Sequence, residues 1–200
     1  MDGDRTATGP LDSVAMTDVR VRRAKTADLS ASEVEVIRAI LWAAFDDPAE
    51  PEEGFTEHDW DHGLGGIHVV AELDGRIAAH GSVVAREIHA GGRPLAAGYV
   101  ESVATDPDLQ RTGLGTAVMR EIGAVIVEAY EVGFLGTGEQ GFYERLGWQT
   151  WRGPSFVRTP DGERATPEDD GYLMVLRTPT SPPLDLDARI SCDWRPGDVW

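Results

Sequence analysis

Apolar side chains recur along this chain in two rhythms. At positions 19–23 apolar and basic residues alternate, the period of a half-exposed strand. Further on, Val34, Ile37, Leu41 and Phe45 fall three or four apart and share one helical face, with Pro48 beyond its end. Ser30 with Glu33, or Ser32 with Glu35, offers a capping box for that helix, and Thr56 offers a cap for a second, short helix running through Trp60. Residues 67–73 read as a strand, Asp74-Gly75 as a hairpin turn and 77–88 as the returning strand. Ala90-Gly91-Gly92 marks another turn, and 95–105 predicts a third long strand that Asp106-Pro107 ends. Val118, Ile122, Val125, Ile126 and Ala129 then predict a helix, and 132–135 a short buried strand. Phe142, Tyr143 and Leu146 predict a further helix terminated by Gly147. After Trp148 the chain is richer in proline, and 172–177 predicts the last strand. With no repeat and no clear linker, this is one α/β (α+β) domain over 18–200, a mixed, mostly antiparallel sheet flanked by helices. The polar stretch 1–17 reads as a disordered tail in which Met16 is a second candidate start.

Composition adds little until charge is considered. Hydrophobic residues make up 41% and charged residues 26%, an ordinary globular balance. No apolar run approaches the ~20 residues of a membrane span, no secretory layout opens the chain, and Cys192 is the single cysteine, read as a small buried apolar group. A cytoplasmic protein without disulfides is therefore expected. Formal net charge is −17, which disfavours nucleic acid and anionic membranes and favours cations. The acid is concentrated: Asp46, Asp47, Glu50, Glu52, Glu53, Glu57, Asp59 and Asp61 follow one another with no Lys or Arg between. Such a run is a solvated face or a surface for a polycation.

The segment with the clearest chemistry is Gln110-Arg111-Thr112-Gly113-Leu114-Gly115, which joins the third strand to a helix. Glycines there let backbone N–H groups approach a ligand, and a helix N-terminus adds partial positive charge, so the turn suits a pyrophosphate. It lacks the Gly-Lys-Ser/Thr of a P-loop, and hairpin strands upstream do not suit a dinucleotide-binding βαβ unit. His58 and His62 lie one helical turn apart beside Asp59 and Asp61, but with no convincing third ligand no metal is expected.

Gln-x-x-Gly-x-Gly after a strand, within this order of elements, resembles the acetyl-CoA pyrophosphate loop of the GNAT N-acetyltransferase superfamily. Three further segments resemble one branch of it, the aminoglycoside 2′-N-acetyltransferases. They are Phe55-Thr56-Glu57-His58-Asp59-Trp60 continuing to Leu64-Gly65-Gly66, then Gly98-Tyr99-Val100-Glu101, and finally Cys192-Asp193-Trp194-Arg195-Pro196-Gly197-Asp198-Val199-Trp200. The resemblance spans about residues 19–200. It implies a GNAT-like acyl-CoA N-acyltransferase domain that moves acetyl from acetyl-CoA to the 2′-amine of an aminoglycoside, a polycationic small molecule. Kasugamycin, a polyamine or an amino sugar is an alternative acceptor, and a non-catalytic acyl-CoA-binding module an alternative class. A homodimer is expected by analogy alone.

By the same resemblance Glu101 is the general base and Tyr143 the acid that protonates the departing sulfur. Val103, Ala104 and Thr105 would pair with the pantetheine arm, and Gln110, Arg111, Thr112, Gly113, Leu114 and Gly115 would hold the pyrophosphate. Gly54, Asp59, Glu101, Ser102, Gly136, Asp169, Asp198 and Trp200 would line the acceptor site. The chain departs from the branch at three of these positions. It has Gly54 where an acid often precedes the Phe, Ser102 where glycine is common, and Gly136 where a serine is expected.

Overall fold

The computed structural model describes residues 18–46 and 54–200. The tail expected at 1–17 and the acidic positions 47 to 53 lie outside the described residues. The first strand, β1 (Val19–Lys25), leads to α1 (Ala31–Ala44), whose start is fixed by Ser30: its hydroxyl accepts from the Glu33 N–H while Glu33 reaches back to the Ser30 N–H. Thr56 and Asp59 form the same reciprocal box at the head of α2 (Glu57–His62). Three long antiparallel strands follow, β2 (Ile67–Leu73), β3 (Arg76–Ala90) and β4 (Arg93–Thr105). Next come α3 (Leu114–Ala129), β5 (Val132–Gly136) and α4 (Gln140–Glu144).

Alternation along the strands sends neighbouring residues to opposite faces. Val69, Val83 and Val100 pack under Val118, Ile122 and Ile126 of α3. Val70, next to Val69, meets Ile37 and Leu41 of α1 together with Ala104, which lies beyond a register shift in β4, and Tyr99 joins Phe134, Trp151, Ile190, Cys192 and Trp200. Cys192 is fully buried, as expected from its size and polarity.

The carboxy-terminal third differs from expectation. Short strands β6 (Gln149–Thr150), β7 (Ser155–Thr159) and β8 (Gly162–Ala165) precede β9 (Leu173–Arg177), and β9 is not the last strand. It is followed by β10 (Ile190–Asp193), which pairs antiparallel with the end of β3 and parallel with β7. β8 is exposed throughout and β10 is buried at three successive positions, so neither carries the two-residue hydrophobic period by which strands are recognised. Leu146 also lies just past α4 rather than on it. The sheet runs β6-β9-β5-β4-β3-β10-β7-β8, with β2 and then β1 joined to the first half of β3. Among the described residues no helix is long and apolar enough to cross a membrane.

Candidate active site

Two irregularities in β4 create the site. Its register with β3 slips: His80 faces Ala104 but Ser82 faces Glu101, so one extra residue is accommodated at Ser102, whose φ is +55°. On its other edge β4 pairs in parallel with β5 only from Ala97 to Tyr99, opposite Val132 to Phe134. Beyond that point β5 continues against β9, whereas Glu101 to Thr105 have, among the described residues, no strand paired on that edge. The edge carrying Val103, Ala104 and Thr105 is thus available to an extended ligand arm.

The glycine-bearing loop closes one end of this gap. Arg111 and Gly113 both take left-handed conformations, φ +64° and +96°, and the second is the N-cap of α3 with no side chain capping it. The Ala117 N–H reaches the Gly113 carbonyl, so the N–H groups of Leu114, Gly115 and Thr116 have no partner within the helix. Thr112 donates to the Leu109 carbonyl over 2.6 Å and fixes the approach of Gln110 and Arg111. A Cβ on Gly115 would stand 3.2 Å from Thr105 Oγ1 and 3.8 Å from the Phe142 ring, so helix start, strand end and α4 converge. This cradle of unpaired N–H groups fits a pyrophosphate.

Glu101 and Tyr143 flank the gap from opposite faces of the sheet. Tyr143 belongs to the α3-side core, 9% exposed, edge-on to Phe142 and Trp148. Burial pushes its hydroxyl up to about 12, with the Thr137 side chain pulling the other way, so the phenol stays protonated in neutral solution. Glu101 lies on the face of Tyr99, where burial raises its pKa and Arg195 opposes that rise by charge and hydrogen bond. Arg195 Nη1 is 2.6 Å from Glu101 Oε1, with side chains 15% and 12% exposed.

The segment from Trp194 to Trp200 folds over Glu101. Arg86, on β3, donates to the carbonyls of Val199 (2.7 Å) and Asp193 (3.3 Å), and its guanidinium lies 4.5 Å over the Tyr99 ring. The Trp200 indole N–H donates to Thr166 Oγ1, and its backbone N–H to Asp198 Oδ1. The Pro196 carbonyl accepts from His62 Nε2 over 2.8 Å, which ties the segment to α2. Asp198 faces Glu101 and Asp169 alike, and burial first, then Asp198, Glu168 and Asp170, carry Asp169 up to about 6.

Glu101, Asp169, Asp198 and Trp200 therefore come together. Gly136 joins them, since a Cβ there would lie 3.7 Å from Tyr99 Oη and 3.8 Å from the Trp200 carbonyl carbon. Ser102 sits behind the cluster, its hydroxyl donating to the Asp59 carbonyl over 3.2 Å. Asp59 has a local duty, one carboxylate oxygen being held by the Thr56 N–H (2.8 Å) and hydroxyl (2.7 Å). Gly54 precedes Phe55, whose ring stacks on Phe45 and meets Trp42 edge-on, and has no side chain to join the cluster. Among the described residues no group of three or more His, Cys, Asp or Glu could hold a metal.

Sequence reasoning missed the two arginines and the tyrosine between them. Arg195 lies within the terminal segment from Cys192 to Trp200, where a site that attracts cations gives no sequence signal for a resident cation. Arg86 shares the face of β3 with Val84 and Ile88, both buried, and nothing in the period of the strand signals what a lone arginine meets there. Arg86 Nη1 and Tyr99 Oη are the buried side-chain polar atoms left without a partner among the described residues.

The comparisons agree with this fold. Residues 25–151 match the acetyltransferase (GNAT) domain family. An aminoglycoside 2′-N-acetyltransferase of Mycolicibacterium fortuitum is 40% identical over 183 residues, 90% of this chain and 91% of that one. Among solved structures, the GNAT family N-acetyltransferase YhbS of Escherichia coli in complex with CoA has a TM-score of 0.56 at 17% identity, covering 92% and 93% of the two chains. A GNAT family acetyltransferase of Brucella melitensis in complex with acetyl-CoA has a TM-score of 0.54 at 20% identity, covering 84% and 94%. The chain spans only 32 to 35% of the length of four other solved structures that it matches. The chain belongs to the GNAT superfamily of acetyltransferases and, within it, to the aminoglycoside 2′-N-acetyltransferase family.

Proposed function

We propose that this protein acts in the cytoplasm, taking acetyl from acetyl-CoA and delivering it to the 2′-amine of an aminoglycoside. The observation that carries the acceptor class is the meeting of Glu101, Asp198 and Asp169 beside the open edge of β4. Carboxylates gathered in a partly dry cleft attract several ammonium groups at once, each well-formed contact being worth ~1.5–3 kcal/mol.

In the proposed chemistry Val103 to Thr105 align the pantetheine arm and the first N–H groups of α3 hold the pyrophosphate. Glu101 removes a proton from the acceptor ammonium, directly or through a water, and frees the lone pair that attacks the thioester carbonyl. A C–N bond forms, the C–S bond breaks, the Tyr143 hydroxyl gives its proton to the leaving sulfur, and the acylated nitrogen releases its remaining surplus proton to water. Glu101 ends protonated and Tyr143 deprotonated, and solvent exchange restores both. Each proton transfer is typically worth ~10²–10⁴-fold in rate.

The test is thiol release from acetyl-CoA with tobramycin or gentamicin, against kanamycin A, which carries a hydroxyl at the 2′ position. Release with the 2′-amino drugs alone supports both reaction and regiochemistry. Release with none of them, while CoA still binds, rejects this acceptor class in favour of kasugamycin, a polyamine or another amino sugar.

A further inference from the structure

Arg195 is out of place in a site for polycations. Its guanidinium occupies the centre of the acidic cluster, with Nη1 on Glu101 Oε1 at 2.6 Å, Nε on the Asp198 carbonyl at 2.8 Å and Nη2 on the Trp200 carbonyl at 3.4 Å. All three nitrogens of the fork are engaged, and the side chain lies across Tyr99 at 5.7 Å from the ring centroid.

We propose that Arg195 is the positioning residue of the general base, a cation carried by the carboxy-terminal segment that fixes one oxygen of Glu101 and keeps the carboxylate ionised for the incoming amine. This rests on the reading of Glu101 as base. A carboxylate as dry as Glu101 tends to keep its proton, and a protonated Glu101 neither attracts an ammonium nor deprotonates it. The groups facing it from each element packed against it are Arg195 and Asp198 from the segment, Arg86 from β3 and Tyr99 from β4. From α2, His62 lies within the fields of both Arg195 and Asp59. Of the two cations, only Arg195 hydrogen-bonds Glu101; Arg86 places Nη2 on the Val199 and Asp193 carbonyls and leaves Nη1 without a partner among the described residues.

Geometry favours arginine specifically. One planar fork grips the base and, through Nε, the backbone of the loop that delivers it, which a lysine ammonium does not do in the same way. With Oε1 held, Oε2 keeps its lone pairs for the acceptor. The segment that closes over the acceptor site therefore also sets the state of the base, so acceptor-site closure and base ionisation are coupled through one side chain.

The experiment is the pH profile of kcat/KM for tobramycin in the parent enzyme, Arg195→Gln and Arg195→Lys, with thermal midpoints measured alongside. Arg195→Gln should move the acid limb up by about one pH unit or more, a tenfold or greater loss at low pH that recovers as pH rises. Arg195→Lys should return the limb most of the way. A loss of the same size at every pH, or an unmoved limb, overturns the proposal. Where Arg195→Gln fails to fold, NMR of the parent decides: the Glu101 carboxyl carbon and exchange of the Arg195 Nη1–H should titrate together, and independent behaviour overturns it. Glu101→Gln is the separate control. If it stays active, the base assignment fails, whatever Arg195 does.

Discussion

His68 and His80 stand ring to ring inside the sheet, His68 Nδ1 2.9 Å from His80 Nε2, and the direction of every hydrogen bond around them is fixed. The Ser102 carbonyl only accepts, so His80 Nδ1 carries the proton it donates over 2.8 Å. In the neutral ring His80 Nε2 must then accept from His68 Nδ1–H, and His68 Nε2 accepts from the Thr26 hydroxyl over 2.8 Å. Thr26 in turn accepts from the Gly65 N–H over 2.9 Å. The chain ends on the bulge residue beside Glu101, so two buried imidazoles help hold the strand where the proposed base sits.

Both rings must stay neutral for this arrangement. Burial lowers His68 to about 4 and burial with the His68 neighbour lowers His80 to about 3, against an ordinary 6.5. For a histidine depressed on folding, stability is complete above the unfolded pKa and falls as pH drops below it, because the unfolded chain takes up the proton first. At pH 5 each imidazole should cost about 2 kcal/mol relative to pH 7. Urea unfolding at pH 5, 6 and 7 should show this slope, and His68→Asn/His80→Asn should be less stable at pH 7 yet clearly flatter with pH. An equal slope in parent and variant would refute the neutral-pair reading.

Ser102 carries a backbone conformation that an L side chain adopts at a cost of roughly 1–2 kcal/mol. Its hydroxyl bond to the Asp59 carbonyl offsets part of that. Ser102→Gly removes the strain and the bond together, and should leave stability within about 0.5 kcal/mol of the parent. Ser102→Ala keeps the strain and loses the bond, and should cost about 1 kcal/mol. Chemical denaturation of the two variants checks the ordering, and an alanine variant as stable as the glycine variant would contradict it.

These two features also mark where the sequence is and is not legible. The loop around Gly113 is readable because its glycines stand where a strand signal gives way to a helix signal, and few other structures need them. Ser102 at the bulge is visible only as a departure from a glycine common in the resembling branch. His68 and His80 sit at strand positions where a polar residue reads as solvent-facing, and only the fold turns them toward each other. β10 and the β7–β8 hairpin are held by ladder hydrogen bonds to partners distant in sequence, without an apolar period of their own. Arg195 was hidden by chemistry rather than by pattern, since its role depends on which carboxylate it meets.

Tyr143, with its hydroxyl pushed up to about 12, should contribute no alkaline limb to the rate profile at any pH at which the enzyme remains folded. Tyr143→Phe should lower kcat by ~10²-fold or more while leaving the KM for acetyl-CoA within a few-fold, as expected for a proton delivered only in the transition state. The same variant should lose less when the leaving thiol is more acidic, as in an activated aryl thioester. An equal loss with both donors would assign Tyr143 to packing against Phe142 and Trp148 instead.

Gly197 sets the turn that lays the carboxy-terminal segment against α2. Its φ is +73°, and an added Cβ would fall 2.7 Å from His58 Cβ and 3.5 Å from the His62 ring, so side chains are excluded both by conformation and by contact with α2. Gly197→Ala must push the segment off α2, which loosens the His62 bond to the Pro196 carbonyl and the frame around Asp198 and Arg195. The cradle at the start of α3 is built from other elements. The acceptor KM should therefore rise tenfold or more, while CoA affinity measured by calorimetry stays within twofold. Equal weakening of both ligands would mean that the substitution disturbs the whole domain, and an unchanged acceptor KM would remove the carboxy-terminal segment from the acceptor site.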